Sequence, residues 1–302
     1  LIKILCKHKN VFIRYLCGNS SVGKKISFFD KTLKFKKLPK IVKFNKKFLT
    51  NVDIIFTALP NGEAQDISKN LLPHNVLIDI AADFRLNNPK IYEKWYKQKH
   101  KAPNNIKKSL YSLPEFSGKL IRNFKIVSCP GCYPTSILLP LVPLIKKNIL
   151  KLDNIIVDSK SGYSGAGRGV HKANAGKNLY ESIKAYGVGF HRHNSEIEQE
   201  IKKINKKNKL NITFTPHLSP MFRGILTTIY CTTTKNHNIN SASTLLKKFY
   251  KNEMFVKILK NNSLISTNDV INTNKCLISI CESKKKNQII ILSVLDNLIK
   301  GG

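Results

Sequence analysis

Short apolar runs separated by polar or amphipathic segments characterise the first part of the chain. The runs at residues 53–59, 75–80 and 124–127 are almost continuously apolar, and a weaker one covers residues 11–13. Strands without polar alternation are typical of a parallel sheet that is covered on both faces. A helical pattern beginning at Glu63 fits between the first two strong runs. We therefore predict a Rossmann-type parallel sheet in this part.

The second half of the chain has a different pattern. Strand-like runs occur at residues 154–157, 211–215, 224–234, 276–282 and 288–295. The last two flank a lysine-rich turn and predict a hairpin. We expect this half to form a mixed, mainly antiparallel sheet backed by helices, a layout suited to substrate binding and dimerisation. The fold class is therefore α/β, with a Rossmann-type domain and an α+β domain.

These patterns divide the chain into two domains. Residues 1–131 together with 296–302 are assigned to cofactor binding, and residues 132–295 to catalysis, substrate binding and dimerisation. A dinucleotide-binding sheet normally opens with a strand and a glycine-rich turn, and none precedes residues 1–9, which resemble the end of the following helix. The chain also stops soon after what looks like a helix start at Asp296. We therefore expect a fragment that lacks both ends, with its first strand and glycine-rich turn missing.

Composition changes this picture little. The net charge of +34 suggests a nucleic-acid partner, but only six of the 52 basic residues are arginine, and the lysines are scattered along the chain. A nucleic-acid surface more often concentrates its charge and includes arginine and aromatic residues. We attribute the lysine excess to an AT-rich genome and expect neither a specific nucleic acid nor a membrane as partner. The absence of a long apolar run and of a signal peptide in this sequence favours the cytoplasm.

Seven cysteines form an odd number without the spacing of a disulfide framework, which also fits a reducing compartment. Cys129 and Cys132 make one C-x-x-C pair. That pair could be a redox dithiol or half of a zinc site, although no second pair of ligands stands out, so no metal is expected.

Cys132 has the strongest candidate chemistry. It follows the run at 124–127 and a Pro130–Gly131 turn, and a long apolar segment begins immediately after it. A cysteine at a helix N-terminus faces unpaired backbone N–H groups and the positive end of the helix dipole, and both favour the thiolate. This position suits a nucleophile, whereas the alternative is a small buried apolar residue.

The loops that follow the predicted strands could form a cleft with this cysteine. Ligands of parallel sheets bind beyond the carboxyl ends of the strands. The loops at 18–24, 60–62, 81–85 and 128–132 are expected to open onto that edge. The sequence therefore predicts a cofactor cleft there.

Two further segments carry candidate chemistry. A glycine-rich loop covers residues 161–169 and could cradle a phosphate or act as a flexible lid. His191 and His193 precede Ser195 and Glu198, which have the spacing of a capping box and predict a helix from about residue 195. Histidines in such a loop could be structural, could bind a metal, or could serve as acid or base beside a nucleophilic cysteine.

Several motifs together resemble the N-acetyl-γ-glutamyl-phosphate reductase family, in the order in which that family has them. They are Ala-Asp-Phe-Arg-Leu (82–86), Leu-Pro-Glu (113–115), Pro-Gly-Cys-Tyr-Pro-Thr (130–135), Ser-Gly-x-Ser-Gly-Ala-Gly-Arg (161–168), His-Arg-His-x-x-Glu-Ile (191–197), Thr-Pro-His-Leu-x-Pro-Met-x-Arg-Gly (215–224) and Asp-Asn-Leu-x-Lys-Gly (296–301). The resemblance covers essentially the whole chain. Two departures are Cys129, where the family usually has a small polar residue, and Pro140, which together with Pro143 is expected to interrupt the cysteine helix.

The resemblance implies an NADP(H)-dependent enzyme of arginine biosynthesis that reduces N-acetylglutamyl 5-phosphate to N-acetylglutamate 5-semialdehyde. It implies Cys132 as nucleophile through a thioester and His191 as acid or base. The residues that it suggests for substrate carboxylate or phosphate are Arg192, His193, His217 and Arg223. Those that it suggests for the cofactor are Ser20, Ser21, Lys24, Pro60, Gly162, Ser164, Gly165, Ala166, Gly167, Arg168 and Asn297. A homo-oligomer, either a dimer or a tetramer, is expected as well.

Two alternatives remain at this point. A sister reductase acts on aminoadipyl or glutamyl phosphate attached to an acidic carrier protein in lysine or arginine synthesis, and the positive charge of this chain would be compatible with that partner. An inactive nucleotide-binding protein is the alternative outside enzymes, since a chain without the glycine-rich turn lacks a helix-end site for pyrophosphate.

Overall fold

The structure, a computed structural model, describes residues 1–166, 181–205 and 210–302. Near the N-terminus, helix α1 (Ile2–Leu5) is followed by a separate two-stranded parallel sheet of β1 (Leu16–Cys17) and β2 (Ile41–Val42). The strand expected at residues 11–13 is wrong, because residues 11–15 are irregular and Phe12 is largely exposed. The 18–24 loop therefore follows this small sheet.

A four-stranded parallel sheet forms the centre of the first half. Its strands are β3 (Ile54–Thr57), β4 (Val76–Asp79), β5 (Ser109–Tyr111) and β6 (Ile126–Ser128), in the order β3-β4-β6-β5. The helices in this part are α2 (Glu63–Ser68), α3 (Pro89–Tyr96), α4 (Pro103–Ile106) and α5 (Pro114–Ser117). The three strong apolar runs are confirmed as parallel strands. The short β5 was not predicted.

Helix α6 (Cys132–Lys146) begins at the candidate nucleophile and passes through the main core. All of its residues from Tyr133 to Ile145 are buried. The expected interruption at Pro140 and Pro143 is wrong, because the helix continues through both. Pro143 has no N–H to donate to the carbonyl of Leu139, and the Tyr250 hydroxyl donates to that carbonyl instead, at 2.6 Å.

The second half is built on a seven-stranded mixed sheet. In chain order its strands are β7 (Ile155–Gly162), β8 (Lys184–Ala185), β9 (Ile212–Ser219), β10 (Ile225–Thr232), β11 (Val256–Ile258), β12 (Cys276–Glu282) and β13 (Gln288–Leu295). Their spatial order is β11-β12-β13-β10-β7-β9-β8. The pairs β7–β9 and β11–β12 are parallel and the others are antiparallel. The predicted hairpin is confirmed, with Cys276 opposite Leu295 and Glu282 opposite Ile289.

Helices cover one side of this sheet. Helices α7 (His193–Ile204) and α8 (Ile239–Phe249) pack against α6, and α6 packs on strands β10 and β13. The final segment turns back through hydrogen bonds from the Ile299 and Gly301 N–H groups to the Asp296 carbonyl, so the helix start expected there is a series of turns. Within the described residues no helix has the length and apolarity needed to cross a membrane.

Candidate active site

Cys132 is the first residue of α6, and Gly131 is the N-cap. The helix therefore starts where the sequence predicted, directly after strand β6 and the Pro130–Gly131 turn. The pKa of the Cys132 thiol is nevertheless raised, because burial outweighs the opposing effects of the Arg85 charge and the Tyr133 backbone N–H. The helix end alone does not make the free thiol acidic.

The turn before Cys132 is held by a buried ion pair. The Arg85 guanidinium donates from Nε to the Cys129 carbonyl at 2.8 Å and from Nη1 to Oε1 of Glu196 at 3.1 Å. Oε2 of Glu196 accepts from the Gly131 N–H at 3.0 Å and from the Tyr111 hydroxyl at 3.2 Å. The two peptide groups on either side of Pro130 are thus fixed by side chains from α7 and from the loop after β4.

The two histidines lie next to this turn. The expected helix start at about 195 is two residues late, because α7 begins at His193 with Arg192 as N-cap, and the Ser195 hydroxyl donates to the Arg192 carbonyl at 2.6 Å. The His193 imidazole packs on Gly131, where an added Cβ would overlap it. His193 is therefore in the first turn of a helix, against the residue that precedes Cys132.

His191 belongs to a cluster of aromatic rings. Its ring meets Tyr133, Tyr186 and Phe214 edge to face at centroid distances of 5.7, 5.5 and 5.6 Å. Its Nδ1 accepts the backbone N–H of His193 at 3.2 Å. Burial, assisted by the Arg192 charge, lowers the pKa of His191 to about 4, so this imidazole is neutral at pH 7.

Burial also lowers the pKa of His193, well below its usual range. Its Nδ1 has no hydrogen-bond partner among the described residues, and its Nε2 is 3.8 Å from Oε1 of Glu196. A neutral imidazole with one unused nitrogen can accept or donate a proton at this position.

The other candidate substrate residues lie in different surroundings. Arg192 is exposed, with its guanidinium 5.9 Å from the centroid of the Tyr96 ring. On β9, Nδ1 of His217 lies 3.0 Å from Oδ1 of Asp158, although the angle is not that of a hydrogen bond. Nε of Arg223 lies 3.3 Å from Oδ2 of Asp296, and this guanidinium also contacts the Asn272 amide.

The glycine-rich loop and the final segment meet at Asn297. The Asn297 amide accepts the Gly224 N–H at 2.7 Å and donates to the Ser164 hydroxyl at 3.1 Å. A Cβ on Gly165 would lie 3.0 Å from Nδ2 of Asn297, and one on Gly162 would lie 2.6 Å from the Arg223 backbone nitrogen. The structure therefore brings these predicted cofactor residues together.

Part of the same loop is not covered. Gly167 and Arg168 lie outside the described residues, as does the side chain of Ala166, whose backbone ends the short turn Tyr163–Ala166.

The remaining cofactor candidates lie in exposed loops. Ser20 and Lys24 are exposed and Ser21 is half-buried, in the turn between β1 and β2 where Gly23 has a φ of +85° and donates to the Ile41 carbonyl. Pro60 is exposed, just beyond the carboxyl end of β3.

Comparison with known proteins identifies the family. Residues 1–124 match the model of the semialdehyde dehydrogenase NAD binding domain, and residues 132–297 match that of the semialdehyde dehydrogenase dimerisation domain. Over all of its length the chain is 42% identical to N-acetyl-gamma-glutamyl-phosphate reductases of Thermoanaerobacter pseudethanolicus and Clostridium beijerinckii, covering 87% of each. It is 39% identical to a probable chloroplastic N-acetyl-gamma-glutamyl-phosphate reductase of Arabidopsis thaliana, covering 75% of it.

The chain belongs to the N-acetyl-gamma-glutamyl-phosphate reductase family. The resemblance drawn from the motifs is confirmed. Among solved structures, aspartate semialdehyde dehydrogenase II of Vibrio cholerae superposes with a TM-score of 0.67 at 15% identity, covering 95% of this chain and 85% of that one. The Francisella tularensis aspartate semialdehyde dehydrogenase gives 0.67 at 13% identity, covering 95% of this chain and 88% of that one. These two structures support the predicted fold class alone.

In this reductase, sequence reasoning did not assign the Arg85–Glu196 pair. The available signal was an arginine in a lysine-rich chain, which hinted at a planar fork without naming its partner. Glu196 stood in the His-Arg-His-x-x-Glu-Ile motif at 191–197, with no role assigned to it. Cys129 and Cys132 are both free thiols, and no group of three or more His, Cys, Asp or Glu side chains suited to a metal occurs in the described parts.

Proposed function

We propose that this chain reduces N-acetylglutamyl 5-phosphate to N-acetylglutamate 5-semialdehyde and phosphate, with NADP(H), in arginine biosynthesis. The observation that carries the proposal is full-length similarity to reductases of this name, with Cys132 on the N-terminus of a buried helix. The matched NAD binding domain supports the cofactor. We retain the division into a cofactor domain of residues 1–131 with 296–302 and a catalytic domain of residues 132–295.

The proposed reaction begins at Cys132. Its thiolate attacks the acyl phosphate carbon, and the tetrahedral intermediate loses phosphate to leave a thioester. When bound, NADPH supplies the hydride that reduces the thioester carbon. The resulting hemithioacetal collapses to the aldehyde and returns the thiolate of Cys132. The backbone N–H of Cys132, at the helix start, is a candidate donor to the oxyanion.

Proton transfer needs a group beside this thiol. We assign His191 as the acid or base, because its imidazole is neutral at pH 7 and packs against Tyr133, the residue after Cys132, and against His193, which lies on the turn. A neutral imidazole can take the thiol proton in the first step and return it to the Cys132 sulfur once the hemithioacetal has collapsed. We assign Arg192, His193, His217 and Arg223 to the carboxylate and phosphate of the substrate.

The chain offers suitable groups for NADP(H). Hydroxyls of Ser20 and Ser21 with the exposed Lys24 ammonium suit a phosphate monoester. The backbone cradle around Asn297, where glycines allow close approach, suits the nicotinamide half. We assign the loop from Gly162 to Arg168, with Pro60, to the same half.

The outer face of the seven-stranded sheet suits self-association. On β10, Ile225 and Ile229 are fully buried under the helices, whereas Leu226 and Tyr230 on the opposite face are only half-buried. The register sets Tyr230 beside Ile290 on one side and beside Ile156, which is 40% exposed, on the other. Such an apolar sheet face fits a second copy of the chain, in line with the matched dimerisation domain. We therefore propose a dimer or tetramer.

The decisive experiment runs the reaction backwards. Oxidation of N-acetylglutamate semialdehyde by NADP⁺ should require phosphate, and Cys132→Ser should lower its rate by more than about 1,000-fold. Cys129→Ser is the matched control, because it removes the other thiol of the same turn, whose pKa burial raises to about 11. Turnover restricted to a semialdehyde attached to a carrier protein would favour the sister reductase. Inactivity of the folded protein on both substrates would contradict the reductase proposal.

A further inference from the structure

Glu196 is a fully buried carboxylate that none of the chemical steps above uses. It lies in the first turn of α7, and its side chain has no exposed surface. Its two oxygens accept from Arg85, Gly131 and Tyr111 at 3.1, 3.0 and 3.2 Å. A buried carboxylate with three donors is fully hydrogen-bonded and held in one orientation.

Arg85 completes the arrangement from the other domain. It follows strand β4, its side chain is 9% exposed, and it donates to the Cys129 and Ile80 carbonyls as well as to Glu196. Burial alone would lower the pKa of Arg85, but the Glu196 carboxylate together with Tyr96, Tyr111 and Asp79 offsets this and raises it. The guanidinium is therefore permanently charged, and it hydrogen-bonds both to the turn, at the Cys129 carbonyl, and to the carboxylate that holds the turn.

We propose that Arg85 and Glu196 are positioning residues for Cys132, which fix the Cys129–Pro130–Gly131 turn from both sides and balance their two charges beside the thiol. The Cys129 carbonyl is held by Arg85, and the Gly131 N–H is held by Glu196. Since Gly131 is the N-cap of α6, moving either contact moves the first residue of the helix. The inference rests on the proposed function in that it takes Cys132 as the nucleophile.

A role in stability alone explains this pair less well. Buried ion pairs are often no more stabilising than apolar residues of similar volume. These two side chains also reach across from different domains to one three-residue turn, where a displacement of about 1 Å can cost 100-fold in rate. The position of Cys132 is therefore the property that this ion pair is best placed to control.

The charges of the pair also act on the pKa of the Cys132 thiol. Arg85 lowers and Glu196 raises the pKa of Cys132. In the described part of the chain, the titratable groups that also surround this thiol include the Tyr133 and Tyr186 hydroxyls, which burial keeps protonated, and the neutral His191 and His193 imidazoles. Removing one member of the pair should therefore shift the pH at which half of the Cys132 thiol is ionised. Loss of the Glu196 charge should lower this pH, and loss of the Arg85 charge should raise it.

The test measures alkylation of Cys132 by iodoacetamide against pH, beside kcat and KM. A Cys129→Ser background leaves Cys132 as the single thiol of the tryptic peptide 126–146. Glu196→Gln should move the alkylation midpoint to lower pH and reduce kcat about 10- to 100-fold with little change in KM. Arg85→Met should move the midpoint to higher pH. Glu198→Gln, which loses an exposed contact to Lys202 on the same helix, is the control and should behave as wild type.

Arg85→Lys separates geometry from charge. Lysine keeps the positive charge but lacks the planar guanidinium group that donates in two directions. We therefore expect kcat to fall about 10-fold while the pH midpoint of alkylation stays unchanged. Thermal unfolding shows whether each variant is folded. If Arg85→Met does not fold, Arg85→Lys decides the question. A folded Glu196→Gln with the kcat and midpoint of Glu198→Gln would overturn the proposal. Alkylation needs no substrate, so it separates this outcome from failure of the proposed reductase activity.

Discussion

Gly301 lies directly against Cys132. A Cβ built on Gly301 would come within 2.9 Å of the Cys132 Cβ and 3.1 Å of its Cα. Contacts under 3.0 Å require something to move, and here the nearest atoms belong to the nucleophile's own residue and to Leu295. The final described turn of the chain therefore forms one wall of the thiol's surroundings.

We predict that Gly301→Ala lowers kcat about 10- to 100-fold, since the added methyl group displaces Cys132 from the helix start. Steady-state kinetics of the reverse reaction and the rate of Cys132 alkylation check this. An active variant with an unchanged alkylation rate would show that the wall tolerates the methyl group.

A buried ion pair fixes the same segment. Lys300 pairs with Glu115, and both side chains are less than 10% exposed. We predict that Lys300→Met costs about 3–5 kcal/mol of unfolding free energy, because it leaves the Glu115 carboxylate buried without its cation. Adding Glu115→Leu should restore most of the loss. Urea unfolding of the single and double variants measures both, and equal losses in the two would contradict the explanation.

The proline within helix α6 makes Tyr250 important. Its hydroxyl donates a hydrogen bond to the Leu139 carbonyl, which Pro143 leaves without an amide donor. We predict that Tyr250→Phe costs about 1–3 kcal/mol, the penalty for a buried acceptor left unpaired. Tyr96→Phe is the contrasting control, because the Tyr96 hydroxyl is buried with no partner in the described structure and its removal should cost nothing. Denaturant midpoints of both variants test the difference.

The buried histidines predict acid sensitivity. The pKa of His191 is lowered to about 4 and that of His193 lies well below its usual range, both mainly because of burial, so the unfolded chain binds these protons first. Stability is therefore complete above about pH 6.5 and falls as the pH drops towards 4, by up to about 1.4 kcal/mol per pH unit for each histidine. His191→Gln should flatten this dependence in urea titrations at pH 7, 6 and 5, whereas His8→Gln, at an exposed position, should not.

Asp79 acts in the opposite direction. Burial, with a contribution from Asp83, raises its pKa to about 6, so its contribution is present below about pH 4 and is lost as the pH rises through 6. Asp79→Asn should therefore steepen the loss of stability between pH 6 and 4. A shallower dependence in this variant would contradict the raised pKa.

Elements that rest on local apolar patterns were predictable from the sequence. Strands β3, β4 and β6, helix α6 and the β12–β13 hairpin all follow from long apolar runs with clear turn residues. Strand β5 was missed because its Ser-Leu-Tyr sequence has no such run. The two-residue error at the start of α7 arose because Ser195 bonds back to the Arg192 carbonyl and does not cap the helix.

The position of Cys132 at a helix start was predictable, and the surroundings of this residue were less so. A helix-start cysteine is a local signal, whereas the pKa of its thiol depends on burial by distant segments. Arg85 and Glu196 are 111 positions apart, so no spacing rule could join them. The assigned roles of His191 and of the substrate-binding residues stay predictions.

The groups around Cys132 come from distant parts of the chain, so the ribosome makes them at different times. The thiol's neighbours come from residues 85, 196 and 301, on both sides of it in the chain. A nascent chain on the ribosome can form the helix and the Arg85 contact early, but it gains Glu196 later and Gly301 last. The Cys132 thiol therefore lacks this wall until the turn around Gly301 has left the ribosome and folded back onto it.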